Sequence, residues 1–125
     1  MTLSVHVFRI GDDDEMTLLE APSTSAELAG FESFRISVWG SDAVRGLGAR
    51  FFPILASGDL VVAPKDVMEF LTECDLLRAN LDVITPATEP AHSHEWYLDV
   101  VSIRLANIEA AAQRAVQVSG GVLIW

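Results

Sequence analysis

Hydrophobic and polar positions change period several times along this chain, and each change predicts an element. Residues 2–10, TLSVHVFRI, are rich in β-branched and aromatic side chains; GDDD interrupts them, and EMTLLEA resumes an extended pattern. Two such runs around a polar turn predict an N-terminal hairpin. PSTSAELAG reads as a loop or a short helix capped by Ser23 or Ser25. FESFRISVWG places Phe34, Ile36 and Val38 on one side of an extended chain and predicts a third strand.

In SDAVRGLGARFFPIL, Ser41 or Asp42 can cap a helix whose apolar residues Val44, Leu47 and Phe51 fall at i, i+3 and i+7. Gly46, Gly48 and Pro53 interrupt it, so it should be short or irregular. LVVA, residues 60–63, predicts a short strand. Over residues 64–80 the pattern is clearly helical: Pro64 suits the first turn, Asp66 and Glu69 suit the positive end of the dipole, and Val67, Phe70, Leu71, Cys74 and Leu77 make an apolar stripe. DVITPATEPAHS, residues 82–93, carries two prolines and predicts a long loop. Leu98, Val101, Leu105, Ile108, Ala112 and Ala115 then trace a second stripe to about residue 118, stopped by Ser119-Gly120-Gly121. The terminal VLIW is β-prone and predicts a buried strand. Together these elements make an α+β domain spanning residues 1–125, with about five mainly antiparallel strands and two long helices on one face.

Composition sharpens this picture chiefly through charge. With 18 acids against eight bases the net charge is −10, which disfavours binding to nucleic-acid phosphates or anionic lipid and favours basic partners. The charge is uneven: residues 1–34 hold seven acids and one base, residues 35–65 two and four, residues 66–99 eight and one, and residues 100–125 one and two. Two acidic stretches therefore bracket a mildly basic middle. No run approaches the roughly 20 apolar residues of a membrane span, and the first residues lack a secretory pattern, so a cytoplasmic location is expected. The single cysteine, Cys74, excludes an intrachain disulfide and a cysteine-rich zinc cluster, and its place in an apolar stripe predicts a buried thiol.

Candidate chemistry is sparse. In AHSHEW, His92 and His94 have a spacing that can turn two imidazoles to one side of a strand and toward a metal. A third ligand would be needed, and no spacing names it. The same stretch reads equally as a helix entrance, with Ser93 as N-cap and Glu95 in the first turn; capping is the favoured reading. Asp12, Asp13, Asp14 and Glu15 lack the alternation of a calcium loop and read as an exposed acidic turn. Gly46-Leu47-Gly48 begins like a dinucleotide loop, but Phe51 stands where the third glycine belongs, so tight turning or close packing explains these glycines better. Hydrolase nucleophile motifs are missing. Trp39, Trp96 and Trp125 are candidate interface anchors, and Trp96, beside the long loop, is the one expected to be partly exposed. Trp125 is expected to be structural unless it lies on a partner surface.

The blocks VWGSDAVRGLGARFFPIL and RLANIEAAAQRAVQVSGGVLIW resemble segments of small bacterial proteins, and the chain as a whole is similar to immunity proteins of polymorphic-toxin systems. That resemblance implies a small acidic domain that binds and blocks a toxin, often a basic nuclease. The expectation is thus a non-catalytic, cofactor-free module that binds a basic protein through Asp12, Asp13, Asp14 and Glu15, with Glu89, Glu95 and Trp96 as a second patch. The alternatives are a metal-binding protein or metal-dependent enzyme using His92 and His94, and a self-associating structural protein.

Overall fold

A computed structural model describes residues 2–85 and 93–125. The hairpin forms as the alternation predicts. Strand β1 (Thr2–Ile10) buries Leu3, Val5 and Val7, and β2 (Met16–Leu18) pairs antiparallel with its end, Phe8 opposite Leu18 and Ile10 opposite Met16. Strand β3 (Leu28–Phe31) pairs with the start of β1, on the same edge as β2. The terminal strand β5 (Gly121–Ile124) takes the other edge of β1, and β4 (Leu60–Val62) pairs outside β5. The main path runs β2-β1-β5-β4, antiparallel throughout, with β3 as the fifth strand.

The third strand is not the one expected. FESFRISVWG forms a wide helical turn, Arg35–Trp39, and LAGF before it supplies β3. Extended chain would have put Phe34, Ile36 and Val38 together. Instead Phe34, Val38 and Trp39 are buried, at helical spacing, while Ile36 is 70% exposed. Tertiary contacts select this arrangement: Trp39 donates its indole N–H to the Ala29 carbonyl at 3.0 Å, and Phe34 packs edge-on to Trp39. Gly30, at φ +118°, lies within β3 where its register against β1 shifts; a β-carbon there would collide with the Phe34 ring. Arg35 ties the turn to the approach of β4, through the Glu32 and Asp59 carboxylates and the Gly58 carbonyl at 2.7 Å. Burial lowers the guanidinium pKa, but the hydrogen bonds to Asp59 and Glu32 outweigh it and leave the pKa raised.

Helix α1 (Asp42–Gly46) is short, capped by Ser41 Oγ accepting the Val44 N–H at 3.3 Å, and a short 3-10 helix, Phe52–Ala56, follows. Helix α2 (Val67–Ala79) follows a 3-10 turn at Pro64–Asp66 and buries Val67, Phe70, Cys74 and Leu77. The predicted loop over 82–93 begins later than expected. Helix α3 (Leu81–Ile84) takes its first residues, because Ile84 is buried in the core and helical spacing brings Leu81 against it; residues 86–92 lie outside the described part. Helix α4 (His94–Gln117) crosses β1, β3 and β5, and α2 packs against it. Ala111, Ala112 and Ala115 lie buried in α4, where small side chains allow close approach. Arg78 of α2 reaches Glu109 at 2.7 Å and Ser102 Oγ at 3.2 Å, so the polar sides of the two helices are also joined.

Candidate functional site

The acidic turn stands at the tip of the β1–β2 hairpin. Its backbone closes on itself: the Gly11 N–H donates to the Glu15 carbonyl at 2.9 Å, and the Asp14 N–H to the Gly11 carbonyl at 3.0 Å. Asp14 adopts a left-handed conformation, φ 60°, which aspartate tolerates better than most residues. Asp13 Oδ1 accepts the Glu15 N–H at 3.2 Å. Asp12, Asp13, Asp14 and Glu15 are all exposed, and none is in an ion pair with another described residue. Four carboxylates are therefore presented to solvent from an ordered turn.

The described part of AHSHEW, residues 93–96, forms a helix entrance. Ser93 is the N-cap of α4, its Oγ accepting the Trp96 N–H at 3.2 Å, and His94 and Glu95 occupy the first turn. His92 and Glu89 lie outside the described residues. Among the described residues no three His, Cys, Asp or Glu side chains gather as they would around a metal ion. Glu95 is exposed, while Trp96 is half-buried and stacks on Phe31 at 6.2 Å between ring centres with 7° between planes. Trp39 is entirely buried, so of the three tryptophans it is Trp125, 47% exposed, that meets solvent most directly.

Glu73 is a site residue that the sequence did not announce. It sits on the buried side of α2, and its carboxylate accepts the backbone N–H groups of Arg50, Phe51 and Phe52. It thereby caps the Phe52–Ala56 turn from a distant helix. Beside it is an open cavity of about 410 Å³ lined by Gly48, Arg50, Phe51, Glu69, Thr72 and Leu76. Arg50 crosses its mouth, ion-paired to Glu69 and lying 4.6 Å above the Phe51 ring. With Glu73 occupied by three donors and Arg50 by Glu69, the polar groups here hold the chain together. Cys74 is fully buried, and burial, with the Glu109 and Glu73 carboxylates, pushes its thiol pKa up, which opposes thiolate chemistry.

The second residue set that the sequence did not mark is the sheet face turned away from α4. In β1 the residues alternating with the buried ones are Ser4, His6, Phe8 and Ile10; across them the register sets Leu18 and Met16 of β2, and Leu123 of β5, which in turn faces Val61 of β4. Trp125 joins this face by exchanging backbone hydrogen bonds with Ser4 at 2.9 and 3.0 Å. Phe8 is buried here with its ring lying over Gly121, where a β-carbon would meet the end of that ring. His6 Nδ1 accepts the Trp125 indole N–H at 2.9 Å, so the neutral ring carries its proton on Nε2, 3.4 Å from Glu27. The available signal was that VLIW and LVVA are apolar at both alternating positions, while the chain has helices enough for one face.

Among the described residues no helix is long and apolar enough to cross a membrane. Comparison with known proteins adds no relative to this geometry: no family model, no curated protein and no solved structure matches the chain.

Proposed function

We propose that this chain is a non-catalytic acidic module that binds a basic protein, in the manner of an immunity-like inhibitor of a toxin, in the cytoplasm. The observation that supports it is the hairpin tip: Asp12, Asp13, Asp14 and Glu15 are exposed, held by the turn's own hydrogen bonds and unpaired with any described cation. Like charges cost little while solvated, and they steer an oppositely charged partner into contact, mainly by raising the association rate. Glu95 and Trp96, at the start of α4, are kept as a second contact patch. Because the steering charges are exposed, salt screens them over about 8–10 Å, and binding should weaken as ionic strength rises.

The test is affinity capture from the native lysate at low and moderate salt, followed by stopped-flow association of the recovered protein. A basic protein bound at one-to-one stoichiometry is expected. Its association rate should fall about tenfold or more when Asp12→Asn, Asp13→Asn, Asp14→Asn and Glu15→Gln are combined, with the circular dichroism unchanged. A complex insensitive both to salt and to these substitutions would sink the assignment.

A further inference from the structure

We infer that the uncovered sheet face is the surface on which the partner docks, and that the partner presents an apolar centre edged by lysine and arginine. The inference rests on the reading of the chain as a binder of basic proteins, and adds where contact is made and through which chemistry. Helix α4 lies on one side of the sheet, across β1, β3 and β5, and Leu3, Val5, Val7, Val122 and Ile124 are buried on that side, as are Leu60 and Val62 of β4 in register with them. On the other side Ile10 is 51% exposed, Met16 43%, Leu18 39%, Val61 53% and Trp125 47%. Single exposed apolar residues are ordinary, but these are joined by register. Ile10 faces Met16, Leu18 faces the buried Phe8, and Val61 faces Leu123, which faces His6. A contiguous apolar patch of this kind marks a contact surface. No Asp, Glu, Lys or Arg stands among the strand positions of this face, so it lacks the charges with which sheets discourage association.

Two further observations fix the kind of occupant. Acidic groups stand at the margin of the face: the Asp12–Glu15 tip is separated from Ile10 by Gly11 alone and directly precedes Met16, and Glu27 adjoins His6. An apolar centre with an acidic edge complements an apolar centre with a basic edge. A second copy fits less well, since it brings a charge of −10 against −10. The other observation is Trp125, whose indole N–H is already accepted by His6 Nδ1 at 2.9 Å and whose ring lies edge-on to the imidazole. Covering that ring removes apolar surface from water without stranding a donor, which is how tryptophan serves as an anchor.

The experiment uses the full ¹⁵N-labelled chain and a synthetic amphipathic peptide with leucine along one side and lysine along the borders. Two analogues accompany it, one with glutamate for lysine and one with serine for leucine. The lysine–leucine peptide should shift the amide signals of Leu18, Val61 and Leu123 and the Trp125 indole signal. Val61→Asp and Leu18→Asp, both at exposed positions, should each weaken it about tenfold, a change of about 1.4 kcal/mol. Equal binding of either analogue, shifts confined to other surfaces, or no binding of the lysine–leucine peptide overturns the inference. So does a stable dimer in sedimentation that Val61→Asp dissociates, because a second copy then occupies the face. Neutralising the hairpin tip separates the two readings. If it changes nothing while Val61→Asp weakens binding and the glutamate analogue still binds less, the hairpin-tip reading fails and the docking face stands with Glu27 as its acidic edge; the reverse result removes the face and leaves the charge argument.

Discussion

Replacing Glu73 with alanine should unfold the protein far more easily than any surface substitution, because one carboxylate closes three backbone donors. Its oxygens accept Arg50 N–H at 2.6 Å, Phe51 N–H at 3.0 and 3.1 Å, and Phe52 N–H at 2.8 Å, and the residue is only 8% exposed. A hydrogen bond to a charged group contributes about 1.5–3 kcal/mol, and a buried donor left without an acceptor costs about 1–3 kcal/mol. The Phe51 and Phe52 donors are buried, whereas the Arg50 donor is part-buried and can recover water. Since one acceptor serves all three, the costs do not simply add; the loss should be about 3–5 kcal/mol. Against a typical domain stability of about 5–15 kcal/mol that is a large fraction, equivalent to a fall in Tm of about 10–20 °C. Urea unfolding followed by tryptophan fluorescence measures it. Glu73→Gln should lose about half as much, because the amide keeps one accepting oxygen but turns its NH2 toward a donor. Glu69→Ala, which breaks only the exposed ion pair with Arg50, should change stability by less than about 0.5 kcal/mol. If Glu73→Ala costs under about 1 kcal/mol with an unchanged m value, the carboxylate is not what satisfies the Phe52–Ala56 turn, and the reasoning fails.

Two other changes probe separate parts of the fold. Ser93→Ala removes the side-chain acceptor at the start of α4 and should cost about 1 kcal/mol, with Ser93→Asp restoring most of it; equal thermal melts for all three proteins would contradict the cap. Cys74 should resist aromatic disulfide reagents until the protein unfolds. Because burial holds its pKa above that of an unfolded thiol, the folded state keeps a proton that the unfolded state releases above about pH 9, and stability should fall with rising pH by up to about 1.4 kcal/mol per unit. Cys74→Ala should flatten that alkaline slope; a slope unaltered by the substitution would show that other groups cause it.

Much of the secondary structure was legible because its causes are local. The stripes of α2 and α4 follow from spacings of three and four, Ser93 and Ser41 from the geometry of unsatisfied N–H groups at helix starts, and the hairpin from GDDD between two β-prone runs. FESFRISVWG is ambiguous in sequence because alternation at Phe34, Ile36 and Val38 fits a strand as well as the spacing of Phe34, Val38 and Trp39 fits a helical turn. Local propensity does not decide between those two. The Trp39 indole bond to Ala29 does, and it forms only once β3 is in place. Ile84 falls within the predicted loop because prolines further on dominate that stretch, although its side chain is buried in the core. Of the candidate site, the acidic tip was visible as four adjacent letters. Glu73 was not, since nothing in VMEFLTECDLL distinguishes a solvated glutamate from one whose partners lie 21–23 residues earlier.

The periods, the caps and the charge follow from the letters alone: where the chain is helical or extended for local reasons, that it carries −10, and that four consecutive carboxylates come after Gly11. Which face of each strand is dry depends on how the elements pack. Alternation in β1 divides its side chains into two sets, but the burial of Val5 and Val7 and the exposure of Ile10 follow from α4 lying on one side of the sheet, a helix that begins more than 80 residues later. An apolar residue exposes or hides its surface according to what packs against it, and that neighbour is supplied by chain topology, not by the residue's own sequence context.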